Sequence, residues 1–437
     1  MTNAGTPQTG AGAAVGPRAR PWPQPAGRRR ASWRGTELWL MLFPALFLLF
    51  GLTILLIVNG QHIDLAARTL PPLQAFLPVI GLMLALLGAH FALVFIAPDA
   101  DQTLLPIAGM LSAIGVLMAT RLGPDLNQIN LGSKQLLYVI LGLALCVFTV
   151  WITSNLTVLR RNGFAWAAIG AALVAVTIIH AGSFDPTAPS RDVLSIGGGA
   201  LSFQPSELFK ICLVIFFAGY LADNIQVLSE GGYRWWRITL PPVKNLVPLL
   251  IILGLALAIV VFARELGLAV LILGVFLAML YAASSRLSYI VLLGGIFTVG
   301  AIAIFNIFTY ARDRVSLLTQ AFDLHVYYGS PPLSSYQIVQ GLVAFGSGGV
   351  FGQGLGLGHP TFVPAATTDY VAAAFAEEFG FAGLLALIAI FMLLIYRGMR
   401  IATRSTVPFN QLMALGLTAV FGLQAVVILA GDLKLMP

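Results

Sequence analysis

Long apolar segments recur along the whole chain and constrain its fold more than any other feature. Each has about 20 residues, the length of helix that crosses the hydrocarbon core of a bilayer. Because 58% of residues are hydrophobic and only 9% are charged, most helices have no polar face to present to water. The pattern predicts an all-α polytopic membrane protein with about eleven transmembrane helices. We expect spans at 38–58, 73–96, 104–122, 135–154, 164–182, 206–222, 246–262, 266–283, 288–309, 371–395 and 409–430.

The positions of Lys and Arg predict an orientation for these spans. Short cytoplasmic loops of membrane proteins are enriched in basic residues. With a cytoplasmic N-terminus, the segments on that side hold 15 of the 24 basic residues, although the longest loop lies on the other side. We therefore expect a multi-pass protein whose N-terminus is cytoplasmic.

Residues 1–36 have a different composition from the rest of the chain. They are rich in Gly, Ala, Pro and Arg and have too few apolar residues to pack, which predicts a disordered basic cytoplasmic tail. The apolar run that follows is longer than the apolar region of a cleaved signal peptide, so we expect it to remain as a membrane anchor. The net charge of +7 favours anionic membrane lipid as the partner of these arginines, rather than nucleic acid.

The segment 310–370 is the one long extramembrane connection between predicted spans. Connections of this length are usually functional. It begins with Arg312 and Arg314, carries Gln337 in an amphipathic stretch, passes through a glycine-rich run and ends near Asp369. Arginine side chains bind diphosphate, and a carboxylate can accept a proton from a hydroxyl group. This combination favours a phosphate-bearing, sugar-like ligand that arrives from the membrane surface.

Ionisable residues within the predicted spans form a second set of candidates, because such residues are rare in membrane helices and are usually functional. Glu207 and Lys210 lie three positions apart, on one face of a helix, where they can pair. Arg264 falls at a turn between two spans. Glu377 and Glu378 are adjacent, so at most one of them faces the same side of a helix as Asp369.

Each candidate also has a purely structural interpretation. Asp369 or Thr368 could cap the helix that follows, since short polar side chains satisfy the free amides at helix N-termini. Arg312 and Arg314 could bind lipid headgroups without catalytic consequence. The charged residues within the spans could form structural ion pairs. The residues themselves leave both interpretations open.

Three stretches that contain these residues resemble signatures of one family. They are FQPSELFK at 203–210, YQIVQGLVAFGSGGVFGQGLG at 336–356 and TTDYVAAAFAEEFGFAG at 367–383. They resemble the family of RodA, FtsW and SpoVE, which serve cell shape, elongation, division and sporulation in bacteria. The resemblance covers residues 104–437, with the three motifs in the family's order. It implies a peptidoglycan glycosyltransferase of the cytoplasmic membrane that polymerises lipid II alongside a class B penicillin-binding protein.

The resemblance also implies roles for particular residues. Asp369 corresponds to the family's essential acidic residue, and we assign it the role of catalytic base on the acceptor hydroxyl. A single displacement at an α-linked diphosphate would give the β-1,4 product with inversion. Positive charge would stabilise the departing polyprenyl diphosphate, supplied by basic side chains or by a divalent cation, Mg²⁺ or Mn²⁺, whose ligands we leave unassigned. The residues that we assign to substrate binding are Glu207, Lys210, Arg264, Arg312, Arg314, Gln337, Glu377 and Glu378.

The chain also departs from the family pattern. Thr367 replaces the family's usual His, and Ala263-Arg264-Glu265 replaces its usual Gln-Pro-Asp or Glu-Pro-Asp. Two additional helices in 37–98 precede the family core of 99–437. The sequence stops at Pro437, before the family's final helix, so we expect this ten-helix core to lack its last helix and the chain to be inactive if that helix is required.

Two other functions remain open at this point. A lipid II flippase would use the charges within the spans as its path, although transporters usually place such groups near the membrane midplane within inverted repeats, and no clear repeat is visible here. A non-catalytic scaffold would position the penicillin-binding protein through its helices.

Overall fold

The computed structural model describes residues 34–62, 76–153, 156–180, 194–196, 201–230, 234–235, 238–239, 243–329 and 334–436. Most of the predicted tail, 1–33, lies outside these residues. The described chain is almost entirely helical, with two short antiparallel strand pairs: β1, Leu194–Ile196, pairs with β2, Leu201–Phe203, and β3, Arg234–Trp235, pairs with β4, Ile238–Thr239.

The helices are numbered here in chain order. The first six are α1 Gly35–Leu40, α2 Leu42–His62, α3 Leu77–Ile96, α4 Leu104–Asp125, α5 Leu131–Ile152 and α6 Thr157–Arg161. The next six are α7 Gly163–His180, α8 Pro205–Asp223, α9 Ile225–Glu230, α10 Val243–Phe262, α11 Leu266–Ser284 and α12 Leu287–Ile307. The last five are α13 Thr309–Thr319, α14 Leu324–Tyr327, α15 Tyr336–Ser347, α16 Val371–Arg404 and α17 Pro408–Asp432.

The membrane spans agree with the prediction from apolar runs. Within the described residues, ten helices are long and apolar enough to cross a bilayer. The eleventh predicted span, 164–182, corresponds to α7, whose described apolar part, Gly163–Val176, is shorter. The predicted pair of helices within 246–283 is confirmed, because α10 and α11 are separate and are joined by a turn in which Arg264 has a φ of 66°.

Three apolar clusters hold the helices together. One packs α2 to α5 and contains Leu48, Leu86 and Leu117. The largest packs α7 to α12 and α17 around Phe217 and Phe276. The third lies between α4, α15 and the start of α16. Many other apolar side chains are exposed on α5 and α12, as expected for helices whose surroundings are lipid tails.

The segment 310–370 is more ordered than the long loop that the sequence predicts. It contains α13, α14, α15 and a 3₁₀ turn at Pro360–Phe362. The irregular part is the glycine-rich stretch 348–358, which we call the glycine loop. This loop lies at the same end of the bundle as the C-terminal end of α4 and the N-terminal end of α16, and we call it the site end.

A charged network at the opposite end joins the N-terminal helices to the family core. Arg34 donates to Glu37 and to the carbonyl oxygens of Ala97, at 2.8 Å, and Asp101, at 3.3 Å. The Nδ1 atom of His90 lies 3.0 Å from the second oxygen of Glu37. All three side chains are buried. Of these contacts, the bond from Arg34 to the Asp101 carbonyl oxygen joins the segment before the family core to the core itself.

Candidate active site

The glycine loop is inserted into a break in helix α16. Gly380 has φ 70° and ψ −172°, which interrupts the helix and is accessible mainly to glycine. In an unbroken helix, the amides of Phe381 and Ala382 would donate to the carbonyl oxygens of Glu377 and Glu378. They donate instead to Gly349 and Val350 of the loop, at 2.9 and 3.0 Å.

The two carbonyl groups freed by this break also bond to the loop. Gln353 N–H donates to Glu377 O at 2.9 Å, and Gly354 N–H donates to Glu378 O at 3.1 Å. Two intrahelical bonds are thus replaced by four bonds between the helix and the loop, which satisfies every group involved. The glycines make this approach possible, because a β-carbon on Gly348 or Gly352 would overlap the backbone of α16.

The side chains of Glu377 and Glu378 both bind the same loop. Glu377 Oε1 accepts from His359 N–H at 3.2 Å, and Glu378 Oε2 accepts from Gly356 N–H at 3.1 Å. Both residues are buried. Although neighbouring residues diverge on a helix, the loop passes across both positions at the helix break. Of the two interpretations left open by the sequence, the contacts favour a structural role for this pair.

Arg121, at the C-terminal end of α4, completes the attachment of the loop. Its Nε donates to Glu378 Oε1 at 2.8 Å, its second terminal nitrogen donates to Gly358 O at 3.1 Å, and its first pairs with Asp125. Arg121 is not among the residues that the sequence predicts for the site. Nothing local in the sequence indicates its contact with Glu378, which is 257 positions away.

Asp369 lies just beyond this loop, in the turn that leads into α16, and its side chain is exposed. Tyr370, the residue immediately before the helix, is buried, and no side chain caps the helix at this position. The described contacts therefore do not support the interpretation of Asp369 or Thr368 as a helix cap. Asp369 presents a carboxylate to the outside of the bundle, next to a tyrosine that anchors the turn.

Three charged residues act on the pKa of the Tyr370 hydroxyl. Burial raises the pKa of the Tyr370 hydroxyl to about 12, and the negative charges of Asp432 and Asp369 act in the same direction, whereas Arg314 opposes them. Asp432, the last residue of α17, is buried, and among the described residues its Oδ2 has no hydrogen-bond partner. Asp432 was not predicted from the sequence, because it lies after the apolar run predicted to end at residue 430.

Glu207 and Lys210 form the predicted pair at the start of α8. Lys210 Nζ donates to Glu207 Oε1 and to Gln424 Oε1, both at 2.8 Å. Lys210 is buried, while the side chain of Glu207 is about half exposed. Gln424 belongs to α17. The same helix therefore binds Lys210 through Gln424 and carries Asp432 at its C-terminal end.

Arg264 and Arg314 lie beside Tyr310, at a small polar pocket lined by Arg264, Glu265, Leu266, Gly267, Tyr310 and Arg314. Their guanidinium carbons are 5.8 and 5.3 Å from the Tyr310 ring centroid. The Tyr310 hydroxyl donates to Arg264 O. Burial raises the pKa of this hydroxyl, although the charge of Arg314 opposes that effect. The pocket is lined by two cationic side chains and one carboxylate, that of Glu265, so its charged lining is cationic on balance.

The comparisons with known proteins fit this arrangement. Residues 100–437 match the family model for FtsW, RodA and SpoVE, described as cell cycle protein. The chain belongs to this family. It is 31% identical over 411 residues to peptidoglycan glycosyltransferase RodA of Mycobacterium tuberculosis, covering 92% of this chain and 84% of the relative. The corresponding protein of Mycobacterium leprae is 31% identical over 356 residues, covering 80% of this chain and 74% of the relative.

Among solved structures, one described as "Structural coordination of polymerization and crosslinking by a peptidoglycan synthase complex" superposes with a TM-score of 0.48. The identity is 20%, with 82% of this chain and 87% of that chain covered. Together with the ten apolar helices, membership of the FtsW, RodA and SpoVE family makes this chain a multi-pass membrane protein.

The structure of this family member divides the predicted substrate-binding residues into groups. Glu377 and Glu378, on α16, bind the backbone of the glycine loop and of the adjoining His359. Glu207 and Lys210 lie at the contact between α8 and α17. Arg264 and Arg314 line the pocket beside Tyr310. Arg312 is exposed on α13 and lies two positions from Arg314, so the two side chains point in different directions on the helix. Gln337 is partly buried in the first turn of α15. Within the described part of the chain, no three His, Cys, Asp or Glu residues come together as a metal site.

Proposed function

We propose that this chain is a peptidoglycan glycosyltransferase that polymerises lipid II into β-1,4 glycan strands. Its family membership and its relatives, which are named peptidoglycan glycosyltransferases, support this function. The observation that carries the proposal is the position of Asp369, an exposed carboxylate in the turn between the hydrogen-bonded glycine loop and α16, beside Tyr370 and within the electrostatic range of Asp432.

In the proposed reaction, Asp369 accepts the proton of the acceptor sugar hydroxyl. The hydroxyl oxygen then forms a bond to the anomeric carbon of the donor, and the bond from that carbon to the diphosphate oxygen breaks. The polyprenyl diphosphate leaves with the electron pair, and inversion converts an α-linked donor into a β-linked product. Because Asp369 is exposed, its carboxylate is accessible to an acceptor that arrives from outside the bundle.

The leaving diphosphate gains negative charge, and the pocket between Arg264 and Arg314 suits it. Two guanidinium groups can each donate two parallel hydrogen bonds to phosphate oxygens. Arg314 also opposes the rise in the pKa of Tyr370, the neighbour of Asp369, so this cation lies within electrostatic range of the turn that carries the proposed base. Lys210 is already bonded to Glu207 and Gln424, so we assign it to the support of the site.

The remaining predicted assignments are proposals of the same kind. Arg312 and Gln337 would bind the sugar or peptide parts of lipid II, since both lie on the helices that lead to the glycine loop. A cytoplasmic N-terminus would place the site end on the outer face of the bacterial cytoplasmic membrane. A class B penicillin-binding protein would be the partner that crosslinks the product.

The decisive experiment is polymerisation of labelled lipid II by the purified chain with its penicillin-binding partner, comparing wild type with Asp369→Asn. We expect product from wild type and a loss of at least about 100-fold in the variant, because removing a positioned general base costs about 10²–10⁴ in rate. Asp323→Asn is the matched control, because Asp323 is another aspartate of the same segment, whose side chain accepts only from His325 N–H and can still do so as Asn.

Three outcomes would contradict the proposal or change it. Polymerisation that survives Asp369→Asn would remove the base. Lipid II movement across vesicles by a wild type that makes no polymer would favour the flippase. Binding of the penicillin-binding protein with neither activity would favour the scaffold. Chelation followed by addition of Mg²⁺ or Mn²⁺ in the same assay tests the requirement for a divalent cation.

A further inference from the structure

Arg121 is buried at the point where α4 meets the glycine loop, with only 8% of its surface exposed. Each of its three guanidinium nitrogens has a different partner: the Glu378 carboxylate, the Gly358 carbonyl group and the Asp125 carboxylate. A planar group with fixed donor directions is suited to hold three acceptors in one arrangement. Burying such a charge is unfavourable unless it is paired. Arg121 is paired with the carboxylates of Glu378 and Asp125.

From this arrangement we infer that Arg121 is a positioning residue that fixes the glycine loop and, through the loop, the segment that carries Asp369. The inference deepens the proposed function and rests on it for its kinetic consequence. Its structural part, the attachment of the loop by Arg121, stands independently of the reaction that the site performs.

Glu378 forms a bridge between α4 and the glycine loop. Its Oε1 accepts from Arg121 and its Oε2 accepts from Gly356 N–H. One carboxylate therefore joins an α4 side chain to the backbone of the loop. The loop is closely packed here, since a β-carbon on Gly358 would lie 2.9 Å from Glu378 Cγ. A change at Arg121 would therefore reach the loop at two points, Gly356 and Gly358.

The stretch between the glycine loop and Asp369 is short and is also held by α4. Only ten residues, 359–368, separate Gly358 from Asp369, and this stretch is itself anchored. Val363, Ala366 and Tyr370 are buried in the third apolar cluster, together with Met118 and Leu122 of α4. Helix α4 thus holds the loop by the charge of Arg121 and holds the turn before α16 by its apolar face. The exposed Asp369 is fixed from both sides by one helix.

The test uses two substitutions of Arg121 and one of its partner. Arg121→Met removes the charge but keeps much of the volume, whereas Arg121→Lys keeps the charge and loses the three-way geometry. Glu378→Gln keeps the size of the bridge but weakens its hydrogen bond from Arg121. Arg160→Met is the matched control, because Arg160 pairs with Asp223 as an exposed ion pair at the opposite end of the bundle.

The first measurement is hydrogen–deuterium exchange of residues 349–359 in the full chain in lipid nanodiscs. We expect exchange at least about ten-fold faster in Arg121→Met, a smaller increase in Arg121→Lys and none in the control, since breaking a buried ion pair lowers the local opening free energy. Exchange in α8 and α11 should stay at the wild-type rate, which reports that the variants are folded.

The second measurement is lipid II polymerisation. We expect kcat to fall about ten-fold in Arg121→Lys with KM within about two-fold, because the loop positions the base without binding the donor. In the double variant Arg121→Met with Glu378→Gln, the two effects should be less than additive, because the residues act as one unit. A merely structural residue would change the amount of folded protein and leave kcat per folded molecule unchanged.

The outcomes separate this inference from the proposed function. Wild-type exchange of the loop in folded Arg121→Lys and Arg121→Met would overturn the inference, and so would fully additive effects in the double variant. Faster loop exchange in those variants, combined with a wild type that makes no polymer, would support the attachment of the loop and overturn the proposed function.

Discussion

The ring of Tyr370 packs directly against the backbone of Gly341, so that a β-carbon at Gly341 would overlap the ring. This contact joins α15 to the turn before α16 and sets the position of the residue that follows Asp369. Because only glycine leaves room for the ring, the contact gives a direct way to move the Asp369 turn without altering the carboxylate.

We expect Gly341→Ala to displace Tyr370 and to reduce polymerisation about ten-fold or more, since small displacements of a catalytic group are costly. Gly346→Ala is the control on the same helix, because no atom lies within 4 Å of the β-carbon that it would add. Its activity should match wild type. Equal activity in the two variants would show that the contact with Tyr370 does not position Asp369. The measurement is initial rate of glycan formation per folded protein.

The helix break predicts a difference between two glycines of the loop. Gly349 and Gly352 both have positive φ, 54° and 83°, but only Gly352 lies against the backbone of α16, where its β-carbon would overlap Glu378 O. Gly349→Ala should therefore cost about 1–2 kcal/mol, the usual price of a left-handed alanine. Gly352→Ala should cost clearly more and expose the loop to protease. Thermal unfolding and limited proteolysis of both variants measure this, and equal losses would contradict the inserted loop.

The raised pKa of Tyr370 predicts a pH effect. An unperturbed tyrosine ionises near pH 10, whereas Tyr370 should ionise near pH 12. Because the folded pKa is the higher one, the neutral hydroxyl contributes its full stability below about pH 10, and this contribution is lost as pH rises from about 10 to 12. Ultraviolet difference titration of wild type against Tyr370→Phe measures the phenolate directly. A difference signal centred near pH 10 would contradict the buried position of the hydroxyl.

The network of Arg34, Glu37 and His90 predicts a strong stability effect far from the site. Arg34→Met would leave the buried Glu37 carboxylate without its main partner, and breaking a buried ion pair costs about 3–5 kcal/mol. Arg160→Met removes a half-exposed pair and should cost about 0–1 kcal/mol. Chemical unfolding in detergent compares the two variants. Similar small losses in both would mean that the N-terminal helices are not fixed to the core by this network.

Asp101 belongs to the same end and contributes in the acid range. Burial alone would raise its pKa, but hydrogen bonds from Thr103 and the charges of Arg397 and Arg400 outweigh burial, so the pKa is lowered. The stability it provides is therefore present above the ordinary aspartate pKa of about 3.9 and is lost as pH falls through the lowered value. Asp101→Asn should flatten the acid limb of a stability–pH curve, and an unchanged limb would contradict this assignment.

Apolar periodicity was sufficient for the membrane helices, including the turn at Arg264, because each span must satisfy its own backbone within lipid. The pair Glu207–Lys210 followed instead from a local spacing of three positions on one face of a helix. The helices α13 and α15 were not predicted as such, since short helices in a long connection depend on packing against the rest of the bundle.

The contacts that define the site were mostly beyond the sequence. Arg121 and Glu378, Lys210 and Gln424, and Asp432 and Tyr370 are each brought together only by the tertiary arrangement of helices. The glycines of the loop were visible, but the break at Gly380 that receives them was not, because a single glycine within an apolar helix is usually tolerated without any break. Family resemblance located Asp369, and the structure supplied its surroundings.

The exchange of backbone hydrogen bonds between α16 and the glycine loop has a consequence for protein engineering. The helix lacks two of its own backbone hydrogen bonds, and the backbone groups of the loop bond to the helix groups that this leaves free. Chimaeras between members of the family should therefore tolerate a crossover between α15 and the loop less well than one that transfers residues 348–382 as a single block. The two segments should therefore be inherited together, and a graft of the turn that carries Asp369 without α16 would lose the backbone hydrogen bonds that hold the loop.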